Sequence, residues 1–233
     1  MSSIVSPALR QRVRSGVGPI ARLFGRVGLT PNALTLIGFG IALAAAACAA
    51  AGWWILACPL VAIGAIFDLF DGALARATGK TSRFGAFMDS TFDRAGEAVV
   101  YLGIAAGLLA ASEPTIDTGL GVLLAASAMA AAFMVSYVRA KSESLGFSPG
   151  SGMAAVGLAP REVRVVILAI GLTVAGMTSA MLAAYPAGVP IPAPLWFTAL
   201  IGSLGLIAIL AALTTIQRIF FVYRQAKSQE DTQ

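Results

Sequence analysis

Residues 54–111 read WILACPLVAIGAIFDLFDGALARATGKTSRFGAFMDSTFDRAGEAVVYLGIAAGLLAA, and the fold turns on this stretch. Its runs 54–76 and 85–111 are each long enough to cross the roughly 30 Å of hydrocarbon in a bilayer, which takes about 20 helical residues. Inside them lie Asp68 and Asp71, then Asp89 and Asp93, on either side of a short basic turn. Carboxylates at that depth are costly unless something cationic meets them, so the cluster marks a site by default. Residues three or four apart on a helix share a face, so Asp68 points with Asp71 and Asp89 with Asp93. Each pair is expected to line one wall of a helical hairpin.

The same reading extends to the whole chain. Of its 233 residues 58% are hydrophobic and 12% charged, and the mean hydropathy of +0.85 excludes an ordinary soluble domain. Six stretches are long and apolar enough to span: 31–52, 54–76, 85–111, 119–139, 163–184 and 195–220. The expected fold is an all-α integral membrane protein of six transmembrane helices. It is preceded by an amphipathic interfacial helix, in which Val5, Leu9, Val13, Val17, Ile20 and Leu23 alternate with five arginines. The chain then divides into a juxtamembrane segment, 1–28, a six-helix domain, 29–224, and a polar, frayed tail, 225–233. No cleavable signal peptide is expected at the arginine-rich start.

Charge fixes the expected orientation. The 16 Lys and Arg fall before the first span, around the turns after the second and fourth, and after the sixth, while the opposite connections carry only Glu113 and Asp117. Basic residues beside spans are retained on the cytoplasmic side, so both termini and the aspartates should face the cytoplasm of a cell-membrane protein. This placement explains the net charge of +5 without nucleic acid, for which the chain carries no motif. Trp53 and Trp54 mark the outer interface. Cys48 and Cys58 lie within spans, unsuited to metal or a disulfide framework, and read as small packing residues.

Four converging carboxylates need divalent cations or arginines beside them. With no histidine in the chain and no nearby thiol, the ligands are all oxygen and favour Mg²⁺, or Mn²⁺, over zinc. Asp93, last and deepest of the array, is the natural general base. Gly72 leaves the helix surface bare for a phosphate to approach, Gly85 does the same on the facing helix, and Arg76 is placed to meet that phosphate. A metal pair bridging a diphosphate would stabilise charge on a departing nucleotide phosphate. Thr30 reads as a helix cap before Pro31, and Asn32 has a spare amide. Arg139, Lys141, Arg161, Arg164 and Arg218 fall on the same side as the aspartates and suggest a second anion pocket. Glu97 extends the Asp89–Asp93 stripe by a turn, as a partner for Arg94 or for a hydroxyl on a neighbouring span. The phenylalanines near the array, Phe67, Phe70, Phe84, Phe87 and Phe92, are given no specific role.

The spacing D-x-x-D-G-x-x-A-R, eight residues, then G-x-x-x-D-x-x-x-D is present without departure as Asp68, Asp71, Gly72, Ala75 and Arg76, then Gly85, Asp89 and Asp93. It resembles the signature of the CDP-alcohol phosphatidyltransferases, and the resemblance covers the six-span plan and the interfacial helix. It implies a CDP-linked lipid donor, usually CDP-diacylglycerol, whose phosphatidyl group passes to an alcohol with release of CMP. It further implies two metal ions held by Asp68, Asp71 and Asp89, with Asp93 as base and also touching the second ion. Donor contacts would come from Gly72, Ala75, Arg76, Ser82, Gly85 and the run Pro31, Asn32, Ala33, Leu34. A homodimer is implied as well. The basic segments look similar to those of actinobacterial phosphatidylinositol phosphate synthases, which use inositol 1-phosphate. Glycerol 3-phosphate, giving phosphatidylglycerophosphate, is the runner-up acceptor. A cation or proton transporter is the non-enzyme alternative, but it should carry polar groups through the midplane, and here the outer halves of the spans are apolar.

Overall fold

The computed structural model of the protein describes residues 19, 23–111, 117–147, 156–184 and 195–230. Among these, all regular structure is helical: α1 (Pro31–Ala50), α2 (Trp54–Ala77), α3 (Arg83–Ala110), α4 (Thr118–Ser144), α5 (Arg161–Ala183) and α6 (Leu195–Glu230). Five of them, all but α3, are long and apolar enough to cross a membrane. In α3 the first half carries Asp89, Asp93, Arg94 and Glu97, which interrupts the apolar run. Most of the expected interfacial helix, the loops 112–116 and 185–194, and part of the inner loop, 148–155, lie outside the described residues.

Local chemistry sets the helix ends. Thr30 caps α1, its Oγ1 accepting from Ala33 N at 3.2 Å, with Pro31 in the first turn where no N–H is missed. Ser82 and Asp117 cap α3 and α4 in the same way, each accepting from the amide three residues on at 2.9 Å. Gly79 at φ 65° turns the chain out of α2 in a left-handed conformation that glycine adopts freely. Two helices outrun their apolar stretches. α4 continues past 139 to Ser144, supported by an Arg139–Glu143 pair one turn apart at 2.9 Å. α6 continues past 220 to Glu230, so the expected polar tail begins as helix rather than as a frayed end. At 36 residues α6 is about 54 Å long, more than the hydrocarbon needs.

The helices pack in a ring, in the order α1, α2, α5, α6, α4, α3 and back to α1. α3 closes on α1 through Gly103 and Gly107, where an added Cβ would run into the backbone of Ala46 and Ala49. The core fills with Ala45, Ala49, Ile104, Leu108, Leu172, Leu200, Leu204 and Ile207, none of them exposed. Trp53 is exposed as an interfacial indole should be, but Trp54 turns inward and stacks on Trp196 at 6.0 Å. Cys48 and Cys58 pack partly against the core as expected, and the Cys58 thiol also meets Thr173 Oγ1 at 3.0 Å. At most 33% of each apolar stretch is buried within the chain, so the bundle keeps much apolar surface on its outside, as suits a lipid surround.

α2 and α3 scarcely touch, which corrects the expected hairpin. α1 lies against both instead. Thr35 and Gly38 face α2, and Phe39 meets Phe92 of α3 at 5.0 Å. A short helical stretch at 23–26 packs on α2, placing Phe24 edge-on to Phe70 at 5.4 Å. Phe67 and Phe70 thus wall that contact, while Phe84 and Phe87 are exposed.

Candidate active site

The four aspartates gather where α2 and α3 diverge, between α1 on one side and α5 on the other. Asp71 is 3% exposed and accepts from Thr35 Oγ1 at 2.7 Å, while its other oxygen meets the Gly72 amide. Asp68 and Asp93 both turn to Arg161, the first residue of α5: Nη2 donates to Asp68 at 2.5 Å and Nη1 to Asp93 at 2.9 Å. Asp89 stands between two openings and lines both.

The first opening, about 210 Å³, lies between the end of α2 and the starts of α1 and α3, and its walls include Pro31, Asn32, Asp71, Gly72, Ala75, Arg76, Ser82 and Gly85. Its glycines act through close approach. A Cβ on Gly72 would stand 3.3 Å from Arg76 Nη1, so the bare helix surface lets that guanidinium fold back along its own helix. A Cβ on Gly85 would stand 3.0 Å from Ser82 Oγ and 3.4 Å from Asn32 Oδ1, so the two helix starts converge there. Ala33 and Leu34 do not line this opening. Ala33 N serves the Thr30 cap, and Leu34 is fully buried against Phe70 and Leu74.

The second opening, about 600 Å³, is lined by Asp68, Asp89, Asp93 and Arg94, and by Arg139, Arg161, Arg164 and Arg218. Four of the five expected acceptor cations therefore border it; Lys141 is exposed on α4 and does not. Their bonding separates them. Arg164, 2% exposed, forks onto Glu97 with two 2.8 Å bonds and donates Nη1 to Ala159 O, so it closes a buried ion pair rather than presenting a free charge. Glu97 is thus the partner of Arg164, with the Tyr101 hydroxyl at 3.4 Å, and not of Arg94, which bonds Ser90. Arg218, 4% exposed, donates to Val135 O at 2.7 Å and Val156 O at 3.1 Å, tying α4 to the segment before α5. Arg139 and Arg161 remain partly open to the cavity, with side chains 42% and 31% exposed.

Two contributors escape a reading of sequence. Thr35, one turn after Pro31 and Asn32 on α1, holds Asp71, and its place on the face of that entry turn is the one signal that points to it. Thr214 of α6 accepts from Leu158 N at 3.1 Å and Ala159 N at 2.9 Å, pinning the segment that delivers Arg161. Nothing local marks that threonine in an apolar helix.

The donors suit a hard divalent cation: carboxylates with a hydroxyl beside them and a guanidinium already neutralising two. Among the described residues no three acidic side chains are drawn into one closed metal cluster, because Asp68 and Asp93 are turned to Arg161 and Asp71 to Thr35.

The described residues thus form an acidic, histidine-free centre at the edge of a helical bundle, open to a glycine-walled cleft on one side and to a basic one on the other. The chain belongs to the CDP-alcohol phosphatidyltransferase family, which it matches over residues 28–228. It is 41% identical over 162 residues to an archaetidylinositol phosphate synthase of Pyrococcus horikoshii, covering 70% of this chain and 79% of that one. Among solved structures it resembles the phosphatidylinositol phosphate synthase of Mycobacterium tuberculosis in complex with manganese and citrate, with TM-score 0.71 and 30% identity over 89% of this chain and 88% of that one. The same enzyme with CDP-DAG bound gives TM-score 0.69 and 30% identity, covering 89% and 93%.

Proposed function

We propose that the protein transfers the phosphatidyl group of CDP-diacylglycerol to inositol 1-phosphate, releasing CMP. The observation that carries this reading is the pair of clefts meeting at Asp89: a narrow one bordered by glycine, Asn32, Ser82 and Arg76, and a wide basic one on the other side of the aspartates. A nucleotide diphosphate suits the first and a phosphorylated alcohol the second. The names of the relatives differ in the lipid and agree in the inositol phosphate.

In this reading Asn32, Gly72, Ala75, Arg76, Ser82 and Gly85 hold the CDP moiety, with Pro31 shaping its entrance. Asp68, Asp71, Asp89 and Asp93 would hold Mg²⁺ or Mn²⁺, as two ions, and the chemistry these would supply is neutralisation of the diphosphate and of the departing CMP. Arg161 and Arg139 receive the acceptor phosphate. The acceptor hydroxyl, oriented by that phosphate, gives its proton to the Asp93 carboxylate as its oxygen bonds to the lipid-side phosphorus. The bond from that phosphorus to the oxygen of CMP breaks, and CMP leaves with the electron pair. Arg164 and Arg218 serve by fixing the backbone around Arg161.

The wider reading places all six helices across the cell membrane, α3 included, with both termini and the site on the cytoplasmic side, a juxtamembrane segment at 1–28, and a homodimer. The reaction is tested by offering the purified chain CDP-diacylglycerol and Mg²⁺ with inositol 1-phosphate, glycerol 3-phosphate, inositol or serine, each alone, and measuring CMP. Release with inositol 1-phosphate is expected. Release with glycerol 3-phosphate alone would move the enzyme to phosphatidylglycerophosphate, and failure of every acceptor combined with dissipation of a cation gradient in liposomes would replace the enzyme by a transporter.

A further inference from the structure

Arg161 is bonded unlike a guanidinium kept ready for a substrate anion. It divides its two terminal nitrogens between Asp68 of α2 and Asp93 of α3, at 2.5 Å and 2.9 Å, so that a single side chain ties together two helices that otherwise scarcely touch. A guanidinium at rest on one carboxylate uses its fork in parallel. Here Nε is shielded from solvent and has no acceptor, although the side chain is 31% exposed along the basic cavity. The backbone before it is fixed by Thr214 and Arg218, so the arginine has a firm pivot and an open side toward which to turn.

We propose that Arg161 is a placeholder. It neutralises Asp68 and Asp93 while no divalent cation is there, is displaced when one binds, and then turns into the adjacent cavity to take a phosphate. Arg161 occupies one oxygen of each carboxylate, Oδ2 of Asp68 and Oδ1 of Asp93, so an ion that takes those oxygens breaks both pairs as it binds. A phosphate that captures the freed guanidinium prevents its return. Ion and phosphate therefore favour each other, and the coupling is equal in both directions. The inference rests on the proposed function in taking Asp68 and Asp93 to be metal ligands and the phosphate to be the acceptor's.

The test is Mn²⁺ binding to the full chain in detergent without donor lipid, free Mn²⁺ being read by electron paramagnetic resonance. Arg161→Gln is expected to bind Mn²⁺ roughly 5- to 150-fold more tightly than the unaltered chain, the range of ordinary site-to-site coupling. Arg161→Lys keeps the charge but cannot span both carboxylates, and should also bind more tightly. Arg94→Gln removes a cation from the same cavity that forms no ion pair among the described residues, so it should gain less than Arg161→Lys. Inorganic phosphate should tighten Mn²⁺ in the unaltered chain and lose that effect in Arg161→Gln. If both Arg161 variants melt like the unaltered protein yet bind Mn²⁺ no more tightly, or if phosphate coupling survives in Arg161→Gln, the placeholder is wrong. Absence of CMP release with inositol 1-phosphate would overturn the acceptor alone, leaving the Mn²⁺ results to decide this inference.

Discussion

Asp93 and Glu97 are one turn apart on α3, yet their surroundings give them different work. Asp93 faces the wide cavity and shares Arg161 with Asp68, the pairing that the proposed exchange with a cation would release. Asp93→Asn should lower turnover by about 10²- to 10⁴-fold, the usual contribution of a general base, with Mn²⁺ binding partly retained. Full turnover in that variant would remove Asp93 from the role. Glu97 is committed to Arg164, which is 2% exposed. Glu97→Leu leaves that guanidinium buried without its charge partner, at a cost of about 3–5 kcal/mol. Thermal unfolding in detergent should show the loss, and Glu97→Leu combined with Arg164→Met should recover much of it. Equal melting temperatures for Glu97→Leu and the unaltered chain would mean that the pair is not what holds α3 to α5.

At the scale of elements, the site depends on how closely α1 approaches α3 and how firmly α6 holds the start of α5. Gly103 allows the first, since any side chain there meets the Ala46 backbone. Gly103→Leu must push α1 outward, costing about 1–3 kcal/mol or more as overpacking. It should also raise KM for CDP-diacylglycerol, because α1 carries Asn32 and Thr35. Thr214 governs the second. Thr214→Val keeps the shape but removes the acceptor for Leu158 and Ala159 amides, loosening the segment that leads to Arg161. The expected kinetic mark is a several-fold rise in KM for the phosphorylated acceptor with KM for the lipid donor unchanged. A rise in both, or in neither, would place the effect of Thr214 elsewhere.

At the scale of the molecule, the proposed topology puts Trp53 and Lys80, at opposite ends of α2, on opposite sides of the membrane. In a chain with Cys48 and Cys58 replaced by alanine, single cysteines at positions 53 and 80 should be labelled from opposite faces of sealed vesicles, and one at 141 should behave like 80. Labelling of 53 and 80 from the same face would defeat the topology. The sequence by itself determined the membrane character, the apolar helices, the Thr30 cap and the spacing that brings four aspartates to one level, because each rests on periodicity or chemistry within a few turns of one helix. Only the tertiary structure decided that α1 lies between α2 and α3, that Asp93 pairs with a residue 68 positions away, and that Glu97 pairs with one 67 positions away. The five cations that look alike in sequence were sorted the same way: Arg164 into a buried ion pair, Arg218 into a backbone clamp, Arg139 and Arg161 to the cavity with carboxylates beside them, and Lys141 away from it. The physical reason is that a guanidinium in a low-dielectric bundle goes to whichever anion or carbonyl the packing brings within reach, and the ring order of the helices, not the spacing along the chain, sets that reach.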